Sequence, residues 1–303
     1  MSDRVSTTGM RVALVTGATG FIGSHLVRKL VQDGWRSHIV SREGSRLPDA
    51  AKFPHISNHI HDGSTAGLIR LVGDANPDVV FHLASLFLSQ HEANDVEPLI
   101  RSNVLFGSQL LEAVRANGVK RFINTGTSWQ NYENRDYSPV NLYAATKQAF
   151  EMLLQYYVEA EGLQAITLKL FDTYGPDDPR PKLMNLLKGL EKDRQPLAMS
   201  PGEQWIDLVH VDDVVRAYML AAERLLAGEA KGHEHYAVSS GEPIQLRELV
   251  RRIELESGRQ LPIKWGGRAY RAREVMTPWK GDSLPGWAPR MNMAQFIRSA
   301  FSE

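Results

Sequence analysis

Residues Val12 to Gly34 read VALVTGATGFIGSHLVRKLVQDG, and the fold turns on how this stretch is read. A β-branched run, VALVT at 12–16, meets three glycines, Gly17, Gly20 and Gly23, and an amphipathic helical pattern follows at once. Glycine lets the chain turn tightly, approach a pyrophosphate closely and pack a helix onto a strand, while the helix N-terminus supplies N–H donors and partial positive charge. The spacing is GxxGxxG rather than GxGxxG. In its strand–turn–helix setting it predicts a dinucleotide site drawn from Gly17, Thr19, Gly20, Phe21, Ile22 and Gly23.

Working outward, short apolar runs alternate with helical periodicity. A helix is expected over 21–33, a strand at 38–40 (HIV), a helix near 65–75, a strand at 78–84 (DVVFHLA) and a long helix within 96–117. Then come RFINT (121–125), a helix over 141–161 and AITLKLF (165–171). That order predicts βαβ units, hence an α/β fold with a Rossmann-type doubly wound parallel sheet. From Asp172 the pattern loosens into Gly/Pro-bearing loops with helices near 181–192, 212–227 and 244–257, as suits a smaller α/β substrate lobe. Residues 10–171 are expected to form the dinucleotide-binding domain, with 207–240 returning to it. Residues 172–206 and 241–303 would make the second lobe.

Composition narrows the function. The chain has 303 residues, is 43% hydrophobic, and balances 35 basic against 35 acidic residues, so no global field draws it to nucleic acid or an anionic membrane. Cysteine is absent, which removes disulfides, thiolate metal sites and cysteine nucleophiles and fits a reducing cytoplasm. The opening MSDRVSTTGM lacks the apolar core of a signal peptide, residues 1 to about 9 read as a polar leader, and no run has the length of a membrane span.

Cofactor choice is read at the end of the second strand, where an acidic residue would grip a ribose 2′-hydroxyl and a basic one would accommodate a 2′-phosphate. The sequence there is HIVSREGSR: Ser41 takes the acidic slot, followed by Arg42, with Arg46 nearby. NADP(H) is therefore favoured over NAD(H); as solvated loop residues these arginines would carry no such meaning. Asp62, next to Gly63 in HIHDGS, suits either an adenine amino group or a turn.

The segment RFINTGTSWQNYENRDYSPVNLYAATKQAF (121–150) carries Thr127, then Tyr143 sixteen residues on, then Lys147 after four more. Tyr143 and Lys147 fall one helical turn apart and share a face. The ammonium is expected to lower the phenol's pKa and to hold a nicotinamide ribose, making Tyr143 a proton donor or acceptor, while Thr127 would hydrogen-bond the reacting oxygen. YxxxK also arises by chance; its position after a Thr-bearing strand end and downstream of the glycine turn is what gives it weight.

The motifs TGATGFIG (16–23), FHLAS (81–85), RSNVLFG (101–107), YAATK (143–147), LKLFDTYGP (168–176) and LVHVDDVV (208–215) together resemble an extended short-chain dehydrogenase/reductase of the NAD-dependent epimerase/dehydratase family, over nearly the whole chain. TSWQ (127–130), SPVNLYAATKQAFE (138–151), FDTYGPDDPRPK (171–182) and LPGWAP (284–289) look most like the CDP-abequose and CDP-paratose synthase subgroup, NADPH-dependent reductases of a CDP-4-keto-dideoxy sugar. The resemblance implies that Asn103 is a structural, cofactor-adjacent asparagine and that Ala84 and Ser85 line the nicotinamide side; Leu83 and Thr125 join this cofactor-binding set. It also implies a homodimer through the helices near 99–114 and 146–158, although core packing would leave part of the same pattern.

Departures narrow the chemistry. Nucleotide-sugar 4,6-dehydratases carry an Asp-Glu pair after the threonine, where this chain has Ser128 and Trp129, and the Cys/His pair of 3,5-epimerase/reductases is impossible without cysteine. Asp172 stands where many relatives have Asn, and Trp205 stands near a frequent Arg position. Candidates for the diphosphate and nucleotide of a nucleotide-diphosphate sugar are Arg180, Lys182, Gln204, Arg271 and Arg273, and Trp129, Gln130 and Asp172 are candidates for facing the sugar and its diphosphate. No metal is expected: the His-Glu-His at 233–235 reads as a solvated loop, His82 as a satisfied core residue, and Asp212 as a helix cap. Three functions remain open: a C4-ketoreductase using NADPH, an NAD-dependent C4 epimerase using the same three residues, and a non-catalytic dinucleotide-binding regulator.

Overall fold

The computed structural model describes residues 9–45, 55–190 and 196–301; Arg46 and the polar leader through residue 8 lie outside them. In the first half β1 (Val12–Thr16), α1 (Phe21–Gln32), β2 (Arg36–Ser41), β3 (Ile56–Ile60), α2 (Thr65–Ala75) and β4 (Val79–His82) follow one another. Next come α3 (Val96–Ile100), α4 (Phe106–Ala116), β5 (Arg121–Thr127), α5 (Leu142–Glu161) and β6 (Gln164–Leu170). Beyond these lie β7 (Asp172–Tyr174), α6 (Leu183–Gly189), β8 (Leu197–Met199), β9 (Trp205–Ile206), β10 (Leu208–His210), α7 (Val211–Leu226), β11 (His233–Val238), β12 (Ile244–Gln245), α8 (Leu246–Ser257), β13 (Ile263–Trp265) and α9 (Met293–Phe301).

Among the described residues, seven strands form one sheet in the order β11-β6-β5-β4-β1-β2-β3. Every pairing in it is parallel. Buried on both faces, such strands are mainly apolar, as VALVT and VVFH are, and their polar ends Thr16 and His82 pair with each other at 2.8 Å. On one face α1 and α7 pack over Val15, Phe81 and Ile123, with Leu26, Val214 and Tyr218 in the shared core. The other face is covered by α2, α4 and α5 through Leu68, Leu110, Phe150 and Leu154. A separate core gathers α6, α8 and α9 around Leu187, Leu249, Ile253 and Phe301. Strand order reverses between β1 and β4, and the crevice beyond their carboxyl ends is where ligands sit in open α/β sheets.

Three expectations needed correction. The helix within 96–117 is interrupted by a π-helical segment, Arg101–Leu105, which carries the buried Asn103. His233 to His235 are not a loop: they open the edge strand β11, with His233 Nε2 2.8 Å from Thr167 Oγ1. His210, not Asp212, caps α7, its ring nitrogen accepting from the Asp212 N–H at 3.2 Å.

Candidate active site

The glycine turn separates two demands. A Cβ at Gly17 (φ +73°) would stand 2.6 Å from Ala84 N, and one at Gly23 would stand 2.1 Å from Gly17 O, so both are required by the protein's own packing. At Gly20 a Cβ would meet only Gly17 O, at 3.3 Å, so packing makes no such demand. No side chain caps α1 and no acidic residue occupies its first turn. Its opening N–H groups therefore suit an anion, and the open space over Gly20 suits a phosphate coming close.

Several expected cofactor residues sit where they could serve. Gly17, Gly20, Phe21, Ile22, Gly23, Leu83, Ser85, Thr125, Tyr143 and Lys147 line one cavity of about 230 Å³ at the carboxyl ends of β1, β4 and β5. Thr125 contributes little beyond its surface, because its hydroxyl already pairs with His82 O and Tyr218 Oη, each at 2.7 Å. Ala84 lies behind the lining, its N–H donating to Thr16 Oγ1 at 3.2 Å, and Thr19 is exposed beside the turn. At the end of β2, Ser41 Oγ is buried without a hydrogen-bond partner and Arg42 is exposed, a pairing suited to a ribose phosphate. Asp62 is taken up locally: its Oδ1 accepts from the Ser64 N–H at 2.8 Å and hydroxyl at 2.7 Å, and Arg70 stands 3.6 Å from Oδ2. The turn reading therefore describes it, and the exposed Gly63 beside it receives a bond from Gln109 on its carbonyl.

The π segment explains Asn103. Its Oδ1 accepts from the Leu86 N–H (2.7 Å) and Ser85 Oγ (3.2 Å), and its Nδ2 donates to Leu86 O and Thr146 Oγ1, both at 2.9 Å. One side chain thus ties the loop after β4 to α5. Asn141 does likewise from the other end, capping α5 through the Ala144 N–H (2.9 Å) while donating to Leu88 O and Ser89 O. Tyr143, between these two ties, is held against Phe87 edge-on, with ring centroids 4.9 Å apart.

Thr127 closes β5, its hydroxyl accepting from the Trp129 N–H at 3.3 Å, and together with Tyr143 and Lys147 it lines the same cavity. Electrostatics correct one expectation. Burial pushes the Tyr143 phenol up to about 12, and the opposing influences are Ser85's hydrogen bond and the Arg180 guanidinium, not Lys147. The net effect of these influences disfavours the phenolate by about 3 kcal/mol, and the phenol keeps its proton at neutral pH. Burial lowers Lys147 to about 8, against the pull of Glu151. Both groups are protonated near pH 7, which equips the site to give a proton to an oxygen.

Substrate candidates divide. Trp129, Asp172, Arg180 and Lys182 line the cavity. Lys182 Nζ stands 3.5 Å from the Phe87 ring centroid and 3.9 Å from Asp172 Oδ1. Arg180 is held by Asp178 at 2.7 Å and lies over Phe21. Gln130 is not exposed to the cavity: it is fully buried, accepting from the Thr127 N–H (2.9 Å) and donating to Gln148 and Glu151. Gln204 is buried elsewhere, paired with Ser200, and Arg273 bonds Ser138 at 2.8 Å over the Tyr132 ring, outside the lining. Arg271 is clamped by Glu274 at 2.9 Å and lies over Trp129. Phe87, Phe171 and Thr173 also line the site; Phe171 and Thr173 fall within the motif FDTYGPDDPRPK and Phe87 two residues beyond Ser85, but nothing in their own spacing marks them as site residues.

Among the described residues no group of histidines and acids is arranged for a metal, and no helix is long and apolar enough to cross a membrane. The uncapped α1 amides, the open Gly20 and the orphaned Ser41 hydroxyl fit a dinucleotide, so fold and site together define a Rossmann-type dinucleotide-binding protein.

Comparison with known proteins is more specific. Residues 13–238 match the NAD dependent epimerase/dehydratase family, and the chain belongs to it. A Salmonella muenchen protein described as CDP-abequose synthase is 26% identical over 295 residues, covering 95% of this chain and 96% of its own. UDP-glucose 4-epimerase of Mycolicibacterium smegmatis is 30% identical over 315 residues, covering 94% and 95%. The solved structure of MoeE5 in complex with UDP-glucuronic acid and NAD matches with a TM-score of 0.81 at 28% identity, covering 94% of this chain and 96% of that one.

Proposed function

We propose that this chain uses NADPH to reduce the C4 keto group of a nucleotide-activated deoxy sugar, with CDP as the nucleotide, in the cytoplasm. The observation that carries the reading is the cavity itself: a buried, protonated Tyr143, Lys147 and Thr127 around one space next to an uncapped helix N-terminus. When bound there, the dinucleotide supplies the hydride. Tyr143 gives its proton to the oxygen of the forming alkoxide. Lys147 holds the ribose and offsets the negative charge left on Tyr143, and Thr127 orients the oxygen by hydrogen bond. Arg180, Lys182 and Asp172 face the diphosphate side of the substrate, and Trp129 faces the sugar. The likeness to CDP-abequose synthases and the Ser41-Arg42 pair favour the reductase and its cofactor.

A second reading, NAD-dependent C4 epimerisation with the same three residues, is favoured by the likeness to UDP-glucose 4-epimerases and by relatives solved with NAD. For a non-catalytic regulator we find no favouring feature, since all three residues converge. Exposed Ile100, Leu105, Met152, Leu153 and Tyr156 on α3, the π segment and α5 support a homodimer through these helices.

Isothermal titration of cofactor-stripped protein with NADPH and NADH, each with and without CDP, UDP, GDP and dTDP, separates the readings. Tighter NADPH binding coupled to CDP is the expected result. Preference for NADH, or a dinucleotide that cannot be stripped, would overturn the reductase in favour of the epimerase.

A further inference from the structure

Behind the cavity lies a second set of charged side chains that the proposed reaction does not use. Glu151 follows Lys147 by one turn of α5, and both are buried. Its Oε2 accepts from Gln130 Nε2 at 2.8 Å and stands 3.8 Å from Lys169 Nζ, while His235 Nδ1 lies 3.6 Å from Oε1, beyond hydrogen-bond length. Gln130 in turn accepts from the Thr127 N–H. Lys169, from β6, donates to Asn131 Oδ1 at 3.0 Å and lies over the Trp279 ring. His82 of β4 is the titratable group beneath Lys147, and burial with Lys147's charge holds it neutral, near 3. His233, beside His235 on β11, is likewise held neutral by burial.

Lys169 is thus the lysine within 4 Å of this buried carboxylate, and Lys147, buried one helical turn before it and in no ion pair of its own, has Glu151 as its nearest source of negative charge among the described residues. Burying an isolated ammonium drives it to lose its proton. We infer that Glu151 is the positioning residue of the site: its charge keeps Lys147 cationic, and its bond to Gln130 fixes the Thr127 end of β5. Lys169, 3.8 Å from that carboxylate, opposes its field at Lys147 with a positive charge of its own. The inference rests on the proposal that Tyr143, Lys147 and Thr127 carry the reaction.

The test reads Lys147 directly. Full-length protein labelled at lysine ¹³Cε is titrated by NMR without substrate, and the Lys147 signal is assigned by its loss in Lys147→Arg. Wild type is expected to titrate near 8. Glu151→Gln keeps the side chain's shape and removes its charge, and should lower the midpoint by about one pH unit or more, a tenfold change in protonated fraction at a given alkaline pH. Lys169→Met should move it the other way. Loss of fold alone would not shift the two variants in opposite directions, and Lys169→Met remains informative if Glu151→Gln fails to fold. A Lys147 midpoint unmoved in Glu151→Gln, or moving in the same direction in both variants, overturns the assignment. The titration involves no turnover, so failure to find a keto-sugar substrate would sink the proposed function and leave this result standing.

Discussion

Gly20 and Gly23 stand three residues apart in one turn and should answer an added methyl in opposite ways. At Gly20 the backbone (φ −80°, ψ 171°) is ordinary extended conformation, and a Cβ meets only Gly17 O at 3.3 Å. Alanine is a poorer N-cap than glycine, but it removes about 0.4–1 kcal/mol of unfolded-chain freedom. The two effects roughly cancel, so Gly20→Ala should leave stability within about 1 kcal/mol of wild type. At Gly23 the Cβ would sit 2.1 Å from Gly17 O and 2.8 Å from Gly17 C, backbone atoms that no rotamer change can move aside. The start of α1 must shift, at a cost of about 1–3 kcal/mol or more. Cofactor binding separates them further. The Gly20 methyl occupies the space through which a pyrophosphate reaches the uncapped amides, and losing one hydrogen bond to a charged group costs about 1.5–3 kcal/mol, roughly 10- to 150-fold in Kd. Urea unfolding followed by the fluorescence of the six tryptophans gives the stabilities, and NADPH titration at fixed salt gives the affinities. Wild-type NADPH affinity in Gly20→Ala, or a stability loss as large as that of Gly23→Ala, would refute the division of labour in this turn.

Four further outcomes follow from the same structure. For the proposed reduction, Tyr143→Phe should lower turnover of the keto-sugar substrate by about 10²–10⁴-fold while changing NADPH Kd less than about threefold, and undiminished turnover would point to another proton donor. The double substitution Ser41→Asp, Arg42→Ala should shift the NADPH:NADH affinity ratio by about tenfold or more toward NADH; an unmoved ratio removes the basis for NADP(H). His82, lowered to about 3 by burial and then by Lys147, is neutral in the fold, so its contribution is complete above the unfolded value of 6.5 and is lost as pH falls from there toward 3. The stability gap between wild type and His82→Gln in urea should therefore narrow by up to about 1.4 kcal/mol per pH unit in that window, and a constant gap contradicts the buried neutral imidazole. Met152→Glu, on the exposed apolar face of α5, should convert a sedimenting pair of 33.9-kDa chains to single chains, and a wild type that already sediments as one chain rules the pairing out.

The parallel sheet is legible in the sequence because strands buried on both faces are largely apolar runs, as VALVT and AITLKL are despite Thr16, Thr167 and Lys169. Thr127, Tyr143 and Lys147 are legible because local spacing puts the last two on one helix face and the first at a strand end. Tertiary partners decide what was misread. Nothing near Asn103 announces a π segment; its hydrogen-bond partners at Ser85, Leu86 and Thr146 lie 17 to 43 residues away. Gln130 reads as a sugar contact because it follows the β5 end, but Glu151, 21 residues on, draws it into the interior. The proton affinity of Tyr143 is set by burial against residues such as Phe87, which spacing to Lys147 cannot express.

Apart from Lys147, the cations lining the cavity, and Arg271 over Trp129 beside it, are not free charges awaiting an anion. Arg180 is held by Asp178, Arg271 by Glu274, and Lys182 shares Asp172 while resting on Phe87. In a chain of zero net charge this pairing keeps the arginines and the half-buried lysine from standing desolvated and alone. A diphosphate arriving here exchanges partners with carboxylates rather than adding a bond to an idle cation, so much of its Coulomb gain is offset. Affinity must then come from parts of the ligand that displace no existing pair: a ring against Trp129, and an oxygen reaching Thr127 and Tyr143. The intact nucleotide sugar should accordingly bind more tightly than its nucleotide diphosphate alone, and titrating both on the same protein reads the difference; equal affinities would refute the argument.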